Sequence, residues 1–84
     1  MAIEWDTDRE AHLARHHVTI AQANEALTDP NRVVINPDYA SISGRGIRTI
    51  GYSASFGGLL SVMTWIDQHG VERGTTAFRA KTSS

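Results

Sequence analysis

The sequence predicts an α+β fold in which two short helices precede an antiparallel sheet. Thr7 and Thr19 each begin a helix-capping pattern, because a Glu or Gln follows three residues later. From residue 32 onward, the apolar residues lose their helical spacing and form short β-branched or alternating segments with glycine-containing turns between them. We therefore expect the order β-α-α-β-β-β, with room for one more strand, and both helices packed on one face of the sheet.

The first predicted helix follows a short strand. Residues 3–5 are apolar apart from Glu4 and are expected to form an edge strand. In the capping pattern of residues 7–10, the Thr7 hydroxyl accepts a hydrogen bond from the first turn, and the Glu10 carboxylate reaches back to the cap. This pattern predicts a helix over residues 8–16, whose apolar face consists mainly of small side chains.

The second helix is predicted over residues 20–27. Thr19 and Gln22 repeat the capping pattern at its start. Apolar side chains recur inside it at helical spacing, which gives the helix one face to bury. Pro30 ends it, because the residue before a proline avoids the helical region.

The second half of the chain is predicted to form the sheet. Glycines in residues 56–58 and 67–70 favour two hairpin connections, and the polar residues 39–44 are expected to form a loop. The most apolar segment, residues 59–66, is predicted to be the central strand. The four predicted strands of this half are residues 32–35, 47–53, 59–66 and 71–79.

Length and composition predict one folded domain over residues 1–84. Hydrophobic residues make up 40% of the chain and charged residues 20%, which is typical of a globular protein and not of a disordered one. The absence of cysteine excludes disulfides and thiolate metal sites. The N-terminal residues lack an apolar signal core, and no apolar run approaches the length of a membrane span, so a cytoplasmic protein without membrane association is expected.

The charge distribution permits a nucleic-acid surface although the total charge does not demand one. Eight Lys and Arg residues against nine Asp and Glu residues give a net charge of −1, without the excess of a dedicated nucleic-acid binder. After Asp38, however, only Asp67 and Glu72 oppose the basic residues. The basic residues of this second half are Arg45, Arg48, Arg73, Arg79 and Lys81.

Five short motifs follow one another along nearly the whole chain. They are Trp5-Asp6, Arg15-His16-His17-Val18, Thr49-Ile50-Gly51-Tyr52-Ser53, Leu59-Leu60-Ser61-Val62 and Thr76-Ala77-Phe78-Arg79-Ala80. In this order they resemble the BrnT-type ribonuclease toxins of bacterial type II toxin–antitoxin systems. The sequence departs from the family pattern at His17, where the family carries glycine, and at Gly46, where it carries arginine. The first helix is also one residue shorter, and the family's helix after the last motif has no counterpart before Ser84.

The resemblance implies a compact RelE-like fold and a function. That function is metal-independent cleavage of mRNA by attack of the RNA 2′-hydroxyl, without a cofactor. It also implies a cognate antitoxin protein as a partner, beside the RNA substrate. A homodimer and a toxin–antitoxin hetero-oligomer are both compatible with the sequence.

A ribonuclease without a metal needs a base for the 2′-hydroxyl proton, an acid for the leaving oxygen and cations for the phosphorane charge. We predict that Arg48 and Arg79 hold the scissile phosphate, because a guanidinium pairs two phosphate oxygens. Arg73 lies six residues before Arg79, so in a regular strand the two point to the same face. The alternative interpretation is that these arginines are solvated surface residues.

His16 is the preferred acid–base residue, because imidazole titrates nearest neutral pH and His16 occupies the family's histidine position. The alternative role is capping of the helix C-terminus. His12 lies four residues earlier on the same helical face, but without a third ligand or an HExxH pattern we predict no metal site. Glu72 is a further candidate base. It faces away from the arginines of its strand unless Gly74 forms a bulge.

Arg45, Arg73, Trp5 and Lys81 are the candidate residues for substrate binding. Trp5, Trp65 and Tyr39 could stack on bases, although packing or surface exposure is the favoured role for all three. Trp65, at the end of the apolar strand, is expected in the core, and Trp5 is expected to be partly exposed.

Two other functions fit the sequence. A non-catalytic member that retains antitoxin binding only is favoured by the near-neutral charge and the missing C-terminal helix. A DNA-binding regulator is disfavoured, because neither predicted helix carries a basic recognition face.

Overall fold

The computed structural model describes residues 3–36 and 46–80. Its four strands form one antiparallel sheet in the order β1-β2-β3-β4, and two helices precede them. This arrangement confirms the predicted α+β class and the central position of the apolar strand β3. The elements are α1 (Arg9–Ala14), α2 (Ile20–Leu27), β1 (Val33–Ile35), β2 (Gly46–Ser53), β3 (Gly58–Ile66) and β4 (Glu72–Arg79).

The predicted strand over residues 3–5 is reduced to a single bridge residue. Glu4 forms an isolated parallel bridge with Arg73, at the outer edge of β4. The predicted loop over residues 39–44 lies outside the described residues, as do Tyr39, Arg45 and Lys81. Within the described part of the chain, neither helix has the length and apolarity that a membrane span requires.

Helix α2 begins and ends where the sequence predicts. The Thr19 hydroxyl accepts a hydrogen bond from the Gln22 N–H at 3.1 Å, and the Gln22 side-chain oxygen accepts one from the Thr19 N–H at 3.0 Å. The capping pattern is therefore confirmed at this helix.

Helix α1 differs from its prediction at both ends. Its cap residue is Asp8, and no side chain caps it, so the capping role predicted for Thr7 is wrong. At the other end, His17 has a φ of 60°. The Val18 N–H donates to the Leu13 carbonyl and the His17 N–H to the Ala14 carbonyl, the two hydrogen bonds of a Schellman motif. This motif ends the helix before residue 16.

The hydrophobic core lies between the helices and one face of the sheet. The helices also approach the sheet closely: a Cβ at Gly51 in β2 would collide with the Ala26 carbonyl of α2. A helix backbone can lie this near the strand only because position 51 has no side chain. The buried core residues are Leu13, Val18, Ala23, Ala26, Leu60, Val62 and Ala77.

A bulge in β4 changes which side chains share a face. Thr76 pairs with Met63, whereas Gly74 pairs with the next residue of β3, so Thr75 has no partner in the register. Arg73 and Arg79 therefore point to opposite faces of the sheet, because one extra residue reverses the alternation. The prediction that these two arginines share a face is wrong for this reason.

Candidate nucleic-acid interface

The face of the sheet opposite the helices is the candidate site. We call it the open face and define it by cross-strand neighbours in the register. Several of its large side chains are exposed, among them Tyr52 (51%) and Trp65 (41%). The prediction that Trp65 lies in the core is wrong, because Trp65 and the buried Thr64 point to opposite faces of β3. The open face consists of Val33, Ile35, Arg48, Ile50, Tyr52, Leu59, Ser61, Met63, Trp65, Arg73, Thr76 and Phe78.

Arg48 lies between two aromatic rings on this face. It pairs with Met63 of β3, while Trp65 pairs with Gly46, two residues away along β2. Tyr52 lies four residues from Arg48 in the other direction on the same face. At about 3.3 Å per residue, the Cα positions of the two aromatic residues are offset from that of Arg48 by roughly 7 and 13 Å along the strand direction. A cation with aromatic rings on both sides is the pattern of single-stranded nucleic-acid binding surfaces.

His16 borders the same face at the edge of β4. Its ring centroid lies 6.0 Å from that of Phe78, an open-face residue, and 5.9 Å from that of His12. Arg48 and Phe78 lie two strand spacings apart across the sheet and are offset by two residues along the strand direction. Their Cα atoms are therefore about 12 Å apart. The structure therefore brings the predicted acid–base residue and one predicted phosphate ligand to one surface.

Arg79, the other predicted phosphate ligand, lies on the helix side of the sheet. It pairs with the buried Leu60, and its guanidinium carbon lies 5.4 Å above the centre of the Phe56 ring. This distance is typical of a cation–π contact. Arg48 and Arg79 consequently do not converge on one phosphate-sized site, and the predicted two-arginine arrangement is wrong in its geometry.

Arg73 is on the open face, but carboxylates engage its guanidinium. Its Nε lies 2.6 Å from Asp67 Oδ2, and one terminal nitrogen lies 3.4 Å from Asp6 Oδ1. The hydrogen bond from Arg73, helped by the N–H groups of Val71 and His69, lowers the pKa of Asp67 to about 2. The same hydrogen bond raises the pKa of Arg73. Arg73 thus holds the β3–β4 hairpin together, a contact that competes with phosphate binding.

Glu72 and Trp5 also lie on the helix side. Glu72 accepts a hydrogen bond of 2.6 Å from the Thr64 hydroxyl, and the bulge places it on the face that carries Arg79. The β3 partners of Glu72 and Arg79 are six residues apart, so the Cα atoms of Glu72 and Arg79 lie about 20 Å from each other. The half-buried Trp5 donates from its indole N–H to the Asn24 side chain at 3.0 Å. Neither residue joins His16 and Arg48.

The open face also contains two residues whose hydroxyls the sequence analysis did not consider. The side-chain oxygens of Ser61 and Thr76 are buried without a hydrogen-bond partner. They are diagonal neighbours on adjacent strands, since Ser61 pairs with Phe78 and Met63 pairs with Thr76. The alternation of side chains along a strand could have placed Ser61 and Thr76 on this face, because residues two apart share a face.

Among the described residues, no group of three His, Asp or Glu side chains is arranged to hold a metal.

Comparison with known proteins gives no match to a protein-family model, to a curated protein or to a solved structure. The assignment of function therefore depends on the motif order and on the arrangement of residues on the open face. Of the predicted site residues within the described ranges, His16, Arg48 and Arg73 border or occupy that face. Arg79, Glu72 and Trp5 do not.

Proposed function

We propose that this chain is the toxin of a type II toxin–antitoxin module and cleaves RNA on the open face without a metal. The observation that carries the proposal is the presence of Arg48, the exposed rings of Tyr52 and Trp65, and the bordering His16 on one sheet surface. The resemblance of the five ordered motifs to BrnT-type toxins supports the choice of RNA as substrate. The α+β order of two helices followed by an antiparallel meander agrees with the RelE-like fold that this resemblance implies.

The chemistry assigned to this surface is an internal transesterification. The 2′-oxygen forms a bond to phosphorus and the bond to the 5′-oxygen breaks, which leaves a cyclic phosphate and a 5′-hydroxyl. Arg48 stabilises the negative charge that develops on the phosphorane oxygens, since its planar guanidinium can pair with two of them. One imidazole of the neighbouring pair His16 and His12 takes the proton of the 2′-hydroxyl as the base, and the other donates a proton to the leaving 5′-oxygen as the acid.

The test is RNA cleavage by purified protein from which antitoxin is absent. We expect His16→Gln to slow cleavage by about 10²–10⁴-fold, as is usual for loss of a general acid or base. Arg48→Gln should slow it by about 10²–10³-fold, the effect of removing one preorganised donor. Arg15→Gln, an exposed arginine one residue from His16, is the matched control and should cleave at the normal rate.

The Arg79→Gln variant distinguishes the open face from the two-arginine arrangement predicted from sequence. Loss of cleavage in Arg79→Gln together with normal cleavage in Arg48→Gln would contradict the assignment to the open face. RNA that stays intact at high protein concentration would contradict the nuclease function itself.

A second function is favoured by the apolar character of the same surface. Val33, Leu59 and Trp65 are exposed large hydrophobic residues on the open face. Such a surface suits contact with another protein. The second candidate is therefore a non-catalytic member that binds its cognate antitoxin only. Harmless overexpression, intact RNA and tight co-purification with the product of the adjacent gene would favour it.

A further inference from the structure

A groove lies on the helix side of the sheet, away from the open face. It has a volume of about 520 Å³ and runs between the end of α2 and the ends of β1, β2 and β3. This volume is within the range of ligand sites in proteins. Its apolar lining includes Leu27, Val34, Ile47 and Ile66. Two of these side chains, Val34 (51%) and Ile66 (43%), are exposed although they point to the side of the sheet that holds the core.

The groove also contains one side chain of each charge. Arg32 lines it one residue before β1, and Glu72 lines it at the start of β4. One terminal nitrogen of Arg32 donates to the Asp29 carbonyl, and one oxygen of Glu72 accepts from Thr64. Each charged group keeps further donors or acceptors for a ligand, because a guanidinium has five N–H groups and a carboxylate two oxygens.

The strand beside the groove has an unpaired edge. Within the described residues, β1 pairs only with β2, so its outer N–H and C=O groups face no strand. An extended peptide can add to such an edge through main-chain hydrogen bonds. Because side chains alternate along a strand, every second residue of an added segment would point to the side of Val34, over the groove and beside Arg32.

We infer that the groove and the outer edge of β1 together bind an extended segment of the cognate antitoxin. In this arrangement the segment adds as a strand beside β1 and inserts apolar side chains against Val34. An acidic side chain of the segment pairs with Arg32, which is next to the edge. The inference rests on the proposed function only for the identity of the partner, since groove and edge are independent of the RNA site.

The test uses the full-length protein and the co-expressed product of the adjacent gene. Val34→Lys and Arg32→Glu should each weaken the complex by ten- to a hundredfold. Val33→Lys is the matched control, because Val33 is equally exposed on the same strand but points to the open face. Both strand positions are exposed, so lysine is tolerated in the fold. Of the amide hydrogens of Val33–Ile35, those that point away from β2 should gain protection from exchange when the complex forms.

Three outcomes would overturn the inference, each in a distinct way. Weakening by Val33→Lys with normal binding by Val34→Lys would assign the antitoxin to the open face. Protection of the β1 amides that point away from β2 in the isolated protein would mean that the chain itself covers the edge, and protection that rises with protein concentration would mean that a second copy does. The Arg32→Glu variant without antitoxin should cleave RNA at the normal rate, even though it binds the antitoxin weakly. Its rate of cleavage therefore tests the proposed function separately from this inference.

Discussion

The indole ring of Trp5 occupies the space that a side chain at Gly74 would need. A Cβ built at position 74 would collide with three ring atoms of Trp5. The indole N–H is held at the same time by the Asn24 side chain of α2. Trp5 therefore joins the N-terminal segment, the second helix and the bulged strand β4, and the glycine at the bulge leaves room for the ring.

We expect Gly74→Ala to lower the free energy of unfolding by about 1–3 kcal/mol, the usual effect of overpacking a filled site. The ring cannot withdraw without giving up its hydrogen bond to Asn24. Urea denaturation monitored by tryptophan fluorescence measures the change. Gly58→Ala is the control, because a Cβ there meets only the Phe56 ring at 3.8 Å, an ordinary contact distance. Equal stabilities of the two variants would contradict the role given to Trp5.

Substitution of His17 by glycine should raise the free energy of unfolding, whereas Gly74→Ala lowers it. It adopts a φ of 60° at the end of α1, a conformation that costs a residue with a Cβ roughly 1–2 kcal/mol. Glycine avoids this cost but loses more backbone entropy on folding, about 0.5–1 kcal/mol. His17→Gly should therefore raise the free energy of unfolding by about 0.5–1 kcal/mol. His16→Gly, at the neighbouring position before the left-handed residue, should lower it. Stabilities that fall in both variants would show that the φ of His17 carries no strain.

Of the two capping patterns predicted from sequence, the structure contains the one at Thr19 but not the one at Thr7. Alanine variants at the two positions should therefore differ in stability. Thr19→Ala removes a hydrogen bond to the Gln22 N–H and should cost about 1 kcal/mol of stability. Thr7→Ala is the matched control, since no side chain caps α1. Thermal unfolding of the two variants gives the comparison. A larger loss in Thr7→Ala would mean that α1 starts where its sequence pattern predicts.

This contrast explains which parts of the fold the sequence could predict. Helix α2 was predicted to the residue, because its signals are local: a capping box, helical spacing and a following proline. The four strands were predicted to within one residue at each described end, since alternation and turn glycines are also local signals. The C-terminal end of α1 was missed, because it depends on a Schellman turn at His17, where histidine is a weaker signal for a left-handed conformation than glycine.

The candidate site was harder to predict than the fold. Arg48 was proposed from its residue type and His16 also from the motif order, and the structure brings them to one surface. The pairing of Arg48 with Arg79 failed because one extra residue near Gly74 reverses the faces of β4. Trp65 was expected in the core because it ends an apolar strand, but the strand period places it opposite the buried residues. Register depends on contacts distant in sequence, which local patterns do not contain.

The ion pair between Asp67 and Arg73 makes stability depend on acid pH. The pKa of Asp67 is about 2 in the folded protein and has an ordinary value of 3.8. A carboxyl whose pKa is lower in the folded state stabilises the fold above its ordinary value, and this contribution disappears as the pH falls through 3.8 towards 2. Asp67→Asn should therefore lower stability at neutral pH and flatten the decline between about pH 4 and 2.

Urea midpoints measured across this pH range test the Asp67 prediction. Asp8→Asn serves as the comparison, because Asp8 pairs with Arg9 in a largely exposed contact of 3.3 Å, and such contacts contribute little. An Asp67→Asn protein whose stability declines with acid as steeply as that of the unchanged protein would contradict the link between Asp67 and acid sensitivity.

The exposed ring of Trp65 gives the most direct test of the open face as an RNA surface. Stacking of one base on an aromatic ring contributes about 1–3 kcal/mol, so Trp65→Ala should weaken binding of a short single-stranded RNA by roughly 5- to 150-fold. Trp65→Phe keeps a ring and should retain most of the affinity. Because Trp65 is distant from His16 across the sheet, the rate of cleavage at saturating RNA should change less than the affinity. Fluorescence anisotropy with labelled RNA measures the affinity, and equal binding by both variants would remove RNA from this part of the surface.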